Sequence, residues 1–276
     1  MENYKVLFVS QEITPYLPEN ELSDIGRNLP QGIQETGCKI RTFMPRYGLV
    51  NERRNQLHEV IRLSGMNLII EDTDHPLIIK VASIQSARMQ VYFIDNEDYF
   101  HRKLVLNDKN GKSCKDNDER AIFFARGVLE TVKKLRWSPD IVHCMGWFTG
   151  LVPLYLKKAY QDDPLFMNSK VVYSVYNGSF TSPLNKKFKK KLLIESINDD
   201  DLSVLKSNDF NDVNKLAINY SDGIIAGSDK LPSELQGFIE EKKLPLLDYQ
   251  GNENYLDAYT DFYSKILNEG SDGADK

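Results

Sequence analysis

Four histidines, three cysteines and 40 acidic residues are the material for proton transfer, nucleophilic attack or metal binding in this chain. Their spacing excludes most of that chemistry. His143 and Cys144 are adjacent, which superficially offers a thiol–base pair. The run around them reads as a strand, where neighbouring side chains point to opposite faces, so the pair is geometrically poor and is rejected. His58, His75 and His101 fall in hairpin or loop contexts and read as surface residues. His143 follows a strand-like run and either lines a cleft at the strand end or is satisfied within the fold. Cys38, Cys114 and Cys144 are odd in number and widely spaced, giving neither a disulfide framework nor a zinc pattern. No His/Cys/Asp/Glu spacing suits a metal. There is neither a G-x-S-x-G elbow nor a P-loop. No metal and no cofactor is expected. The lysine cluster KKFKKK at 186–191, followed by Asp199, Asp200 and Asp201, reads as a solvated face, with an anionic partner as the alternative.

Composition narrows the class. With 276 residues, 41% hydrophobic and 27% charged, the chain suits one large domain, or one domain with a small appendage. Its net charge of −5 lacks the basic excess that a nucleic-acid footprint needs. The opening MENYKVLFVS enters a strand directly, without the basic and long apolar regions of a signal peptide. No apolar run approaches the ~18 residues that span a bilayer. A soluble cytoplasmic protein in a reducing compartment, with no nucleic-acid or membrane partner, is expected.

The elements that must position any site follow from periodicity. Residues 6–9 form a nearly continuous apolar run, as in a parallel strand covered on both faces. Leu22, Ile25, Leu29 and Ile33 then recur at helical spacing, with Ser23 and Asp24 near the first turn and Gly37 as a stop. Pro30 inside that run predicts a kink or break. A strand at 39–44 completes a βαβ opening. Residues 57–95 read as short β runs separated by turns, hence antiparallel hairpins inserted at the sheet edge. The polar stretch 106–119 reads as a mobile loop and 121–135 as a helix. Strands at 141–144, 171–175 and 224–226 follow, the first with a helix at 151–160 and the last with one at 231–242. Such alternation predicts a doubly wound, Rossmann-like α/β sheet. Residues 255–267 form an amphipathic, aromatic-rich helix that docks on the sheet's outer face, and the residues after it read as disordered.

Four segments, in order, resemble the N-terminal domain of bacterial glycogen and starch synthases, glucosyltransferases that extend an α-1,4-glucan from ADP-glucose. KVLFVSQEITPYL is similar to the family's first strand and loop. LSDIGRNLPQGIQETGCKIRTFMPRYG is similar to its first helix and second strand. SPDIVHCMGWFTGLVPLYLK resembles the segment carrying its histidine-rich loop, and VVYSVYNGSF and YSDGIIAGSDKLPSEL its later strand ends. The resemblance covers roughly residues 4–240. It implies the N-terminal half of a GT-B glycosyltransferase, with Tyr16, Asp24, His143, Trp147, Tyr176 and Asn177 as cleft positions for a sugar.

Departures from the family pattern shape the functional expectation. The family's phosphate-meeting lysine falls at Pro18, and its Gly-Gly pair at Asn20 and Glu21. The family's His-x-His-Asp-Trp is here His143, Cys144, Met145, Gly146 and Trp147, so the second histidine and the aspartate are substituted. The histidine before Asn177 is Tyr176. The family's second domain holds most nucleotide-sugar contacts, and this chain ends about where that domain begins. The resemblance thus implies a synthase-like domain at 1–242, the family's closing helix at 243–268 packing back on it, and a disordered tail at 269–276. It implies a protein of α-glucan metabolism without transfer activity that binds α-glucan or oligosaccharide or acts in regulation. Two alternatives stand beside this: an active glucosyltransferase completed by a partner chain, and an interaction protein, pairing with another protein or itself through the exposed interface.

Overall fold

The apolar runs become the centre of one sheet. The computed structural model describes residues 3–251 and 255–268. Its first half comprises β1 (Lys5–Ser10), α1 (Glu21–Glu35), β2 (Lys39–Pro45), β3 (His58–Glu59), β4 (Met66–Ile70), β5 (Thr73–Ile84), β6 (Met89–Asp95) and α2 (Glu97–Phe100). Then come α3 (Asn117–Leu135), β7 (Ile141–Met145), α4 (Leu151–Lys158), β8 (Lys170–Val175) and α5 (Phe188–Leu192). The chain continues with α6 (Phe210–Asn219), β9 (Gly223–Ala226), α7 (Ser233–Lys242), β10 (Leu246–Leu247) and α8 (Tyr255–Asn268). The strand order is β10-β9-β8-β7-β1-β2-β6-β5-β3, with β4 paired to β5. From β10 to β6 every pairing is parallel.

Residues 57–95 divide in two. β3, β4 and β5 are antiparallel, as the alternation predicts. β6 has both roles: it pairs antiparallel with β5 and runs parallel to β2, so it joins the hairpin segment to the main sheet. Its VYFID run is buried throughout, the mark of a strand covered on both faces.

α1 runs as one helix through Pro30, without a break. Asn20 caps it: its side chain accepts from the Ser23 amide at 2.9 Å while the Ser23 hydroxyl accepts from the Asn20 amide at 2.9 Å. That reciprocal cap and the full burial of Leu29 and Ile33 on either side of Pro30 hold the helix despite one missing amide. α3 starts at Asn117, earlier than the expected 121, with Asp118 and Glu119 at the positive end of its dipole. The stretch before it carries a bridge between Asn107 and Ser113.

Alternation along the central strands separates two apolar layers. Leu7, Val9, Val142 and Tyr173 meet α3, α4 and α6 through Phe124, Val128, Leu154 and Leu216. Val6, Phe8, Ile141, Met145 and Val172 meet α1 and α8 through Leu29, Ile33, Tyr259, Phe262, Tyr263 and Ile266. Burying the four α8 side chains contributes roughly 2 kcal/mol each as an upper figure, enough to hold the helix on the sheet. β10 extends the sheet parallel to β9. The tail expected at 269–276 lies outside the described residues. No helix among the described residues is long and apolar enough to cross a membrane.

The lysine cluster is not uniformly solvated. Lys191 is buried, with its ammonium 2.7 Å from the Asp118 carboxylate and 2.5 Å from that of Glu119. Charge at such depth persists only when paired, and these two acids of α3 supply the pairing. Lys189 reaches Asp199 at 3.1 Å on the surface.

Candidate functional site

β1 is flanked by β2 on one side and β7 on the other, so the direction of winding reverses between β1 and β7. In open α/β sheets ligands enter the crevice beyond the carboxyl ends of the strands at this point. Here that crevice is a cleft of about 930 Å³. Gln11 and Glu12 follow β1, Gly146 and Trp147 follow β7, Tyr176 to Phe180 follow β8, and Ser228 follows β9. Asn20 and Glu21 at the start of α1 form one lip; the loop carrying Lys103, Asp108 and Lys109 forms the facing wall.

Backbone turns set the floor. Gly146 has φ of +87°, and a Cβ there would stand 3.0 Å from Gln11 Oε1 and 3.1 Å from Leu22 Cδ2. Only glycine takes that turn without strain. Gln11 Oε1 accepts from the Phe148 amide at 3.2 Å, tying the ends of β1 and β7 together. Gln11 Nε2 donates to Glu12 Oε1 at 3.0 Å and Asn20 Nδ2 donates to Glu12 Oε2 at 2.8 Å, so the Glu12 carboxylate is held from both sides.

The wall is aromatic. Trp147 meets Phe180 edge-on with centroids 4.5 Å apart, and Phe180 meets Phe210 at 5.5 Å. Tyr176 packs over Gly227, where a Cβ would come within 2.7 Å of its ring. Burial, reinforced by Tyr259 and Glu21, pushes the Tyr176 phenol well up, so it stays a neutral hydroxyl. The Asn177 amide donates to Ser228 Oγ at 3.1 Å, leaving the Asn177 side chain at the exposed rim. Ser113 donates its amide to Thr181 Oγ1 at 2.8 Å and joins the two loops at the mouth.

Charge on the cleft lining is mixed: Glu12, Glu21 and Asp108 against Lys103 and Lys109. The Tyr249 hydroxyl donates to the Glu21 carboxylate. The Asp108 carboxylate accepts from the amides of Asn110 at 2.8 Å and Lys112 at 3.0 Å. At the positive end of α1 the Ser23 amide is taken by Asn20 and a carboxylate stands at Glu21.

Trp147, Tyr176 and Asn177 therefore meet in the cleft together with the substituted positions Asn20, Glu21 and Gly146. Five other expected positions lie elsewhere. His143 points the same way as Ile141 and Met145, into the layer under α8, and is fully buried. Its Nδ1 shares a 2.7 Å hydrogen bond with the Tyr263 hydroxyl and its Nε2 one of 2.7 Å with Ser174 Oγ. Burial lowers its pKa to about 3, so it is a neutral histidine of the core. Met145 is buried in the same layer. Tyr16 is buried with its ring edge-on to Phe93 at 4.9 Å, below the cleft floor. Asp24 sits on the first turn of α1 off the cleft, and Pro18 serves only as a carbonyl acceptor for the Ser23 hydroxyl at 3.0 Å. Gln11, Lys103, Phe180, Phe210 and Ser228 line the cleft without having been expected there. Gln11 was within reach of sequence reading, since it directly follows β1; the others come from loops and the start of α6 that only the fold gathers.

A family model described as "Starch synthase catalytic domain" matches residues 5–245. The glycogen synthase of Chlorobium limicola is 41% identical over 196 residues, covering 71% of this chain and 40% of that protein. The glycogen synthase of Chlorobaculum tepidum is 36% identical over 273 residues, covering 96% of this chain and 53% of that protein. The chain thus spans about half, or less, of the length of these relatives. Among solved structures, the catalytic domain of starch synthase IV from Arabidopsis thaliana, bound to ADP and acarbose, superposes with a TM-score of 0.69 at 17% identity. That match covers 90% of this chain and 52% of the other, and it establishes the shared GT-B-type fold.

Proposed function

The chain belongs to the starch synthase catalytic domain family, and on that premise we propose that its cleft holds an α-glucan or oligosaccharide without transferring glucose to it. Two halves of the site are separable by chemistry. A sugar needs an aromatic face and neutral hydrogen-bond groups; Trp147, Phe180, Tyr176, Asn177 and Ser228 are of these types. A departing diphosphate needs donors and positive charge. The Arabidopsis relative is described as bound to a nucleotide and to an oligosaccharide; in this chain the cleft suits the second kind of ligand.

The observation that carries the reading is the carboxylate-bearing, Asn20-capped lip of α1. Where an anion would meet free amides at a helix start, Asn20 Oδ1 already accepts from the Ser23 amide and Glu21 presents a carboxylate. Glu12, fixed by Gln11 and Asn20, adds a second negative charge beside it. Lys103 and Lys109 on the facing wall do not outnumber the three carboxylates of the lining. Loss of a single well-placed donor to developing charge typically lowers a rate ~10²–10³-fold. Here repulsion replaces attraction at the same spot.

The test is incubation of the protein with ADP-glucose and maltoheptaose, reading chain lengthening, alongside its retention on immobilised amylose. Retention without lengthened product is expected. Turnover of ADP-glucose would overturn the proposal in favour of a working transferase, and passage through the amylose unretained would remove the glucan.

A further inference from the structure

A second concavity, of about 410 Å³, opens at the amino ends of β2 and β6, at the opposite pole of the sheet from the cleft. Its volume lies within the ~300–1,000 Å³ usual for small-molecule pockets. Lys39 and Arg41 enter it from β2, Arg88 and Gln90 from the start of β6, Gln34 from α1 and Trp137 from the turn before β7. No carboxylate lines it. In a chain of net charge −5, three cations have gathered without an acid.

Their state is unusual for surface cations. None of Lys39, Arg41 and Arg88 takes part in an ion pair among the described residues. The Arg41 guanidinium carbon lies 5.7 Å from the Trp137 ring centroid and 5.9 Å from that of Tyr92. Two aromatic faces thus fix a guanidinium that would otherwise be mobile, and its Nε is buried with no hydrogen-bond partner. Arg88 stands in a left-handed turn at φ of +48°, and Gln34 Nε2 donates to its carbonyl at 3.4 Å. Like charges gathered this way repel one another, and an anion seated among them would relieve the repulsion while using the planar donor fork of arginine.

We propose that this pocket is a binding site for a small phosphate monoester. Three positive side chains match the charge of about −1.5 to −2 that such a group carries at pH 7 better than the single charge of a carboxylate. Gln34 and Gln90 supply the neutral amides that would meet a polar ester group. The site is independent of the cleft reading, because no residue is shared between the two linings.

The chain's two tryptophans make the test specific, since Trp137 lines this pocket and Trp147 the cleft. In a Trp147→Phe background, Trp137 is the sole indole reporter. Inorganic phosphate and glycerol phosphate are titrated at low ionic strength, with glycerol as the neutral control and calorimetry as the second readout. Saturable binding of both phosphates, weakened about tenfold by Arg88→Gln and again by Lys39→Gln, is the expected result, as for loss of a charged hydrogen bond. Both residues are exposed, so their replacement leaves the fold intact even where Arg41→Gln would disturb the packing on Trp137. Absence of saturation by either readout below about 10 mM, a weak limit for any specific site, would overturn the proposal. Equal affinity in the Arg88→Gln and Lys39→Gln variants would do the same.

Discussion

Replacing His143 by glutamine should remove a specific pH dependence from the stability of the fold. His143 is enclosed between β7 and α8, hydrogen-bonded to Tyr263 and Ser174, and burial lowers its pKa from 6.5 to about 3. Above pH 6.5 the imidazole is neutral in both folded and unfolded chains, and stability is whole. Below pH 6.5 the unfolded chain takes up a proton that the folded chain refuses, so stability falls until about pH 3, where the folded group protonates as well. The loss from this one group is about 2 kcal/mol between pH 7 and pH 5, and about 5 kcal/mol across the whole window. The Asn198 amide and Lys158 hold the Asp201 carboxyl below the usual carboxylate range, whereas burial raises that of Asp118, so the comparison with the glutamine variant isolates the histidine's share. Urea unfolding at pH 7, 6 and 5 measures the slope directly. His143→Gln should be less stable at pH 7 yet lose about 2 kcal/mol less than the parent on going to pH 5. Parallel curves for the two proteins would refute the assignment of His143 as a neutral core residue.

Two further perturbations follow from local geometry. Gly146→Ala forces a Cβ to 3.0 Å from Gln11 Oε1 at a φ of +87°; it should lower stability by about 1–2 kcal/mol and shift Trp147 emission. An unchanged unfolding midpoint would show that the turn is not constrained. Lys191→Met leaves the buried Asp118 and its neighbour Glu119 without their cation, and should cost about 3–5 kcal/mol. Adding Asp118→Asn should recover part of that loss in the same denaturation assay, and failure to recover any would mean that packing, not charge, sets it.

What could be read from the sequence depended on how far apart the cooperating residues lie. β1, β7, β8 and β9 each announce themselves as short apolar runs, and α8 as an amphipathic stripe, because burial on one or two faces is a local pattern. Trp147, Tyr176 and Asn177 were named through the family resemblance, and they stand in the loops just beyond the ends of β7 and β8 that line the cleft. His143 and Tyr16 were misplaced for a different reason. Periodicity says that His143 alternates with Cys144, but not which face α8 covers, and that face turned out to be the one His143 occupies. Lys191 sits within a run of lysines that looks solvated, and only the approach of α5 to α3 brings Asp118 and Glu119 to it. The facing wall, Lys103 to Lys109, is brought to the cleft from a loop far from the strand ends, and the pocket at the amino ends of β2 and β6 is assembled from segments dozens of positions apart. No local pattern encodes such assemblies.

The central claim is that the cleft retains a place for glucan on its aromatic wall. Calorimetric titration of the protein with maltoheptaose, repeated at two temperatures to avoid an accidental zero in enthalpy and repeated with Trp147→Ala, tests it most directly. Saturable heat in the parent, weakened about tenfold or more by loss of the indole face, is the predicted result. No heat at either temperature, or the same affinity in Trp147→Ala, would contradict the account.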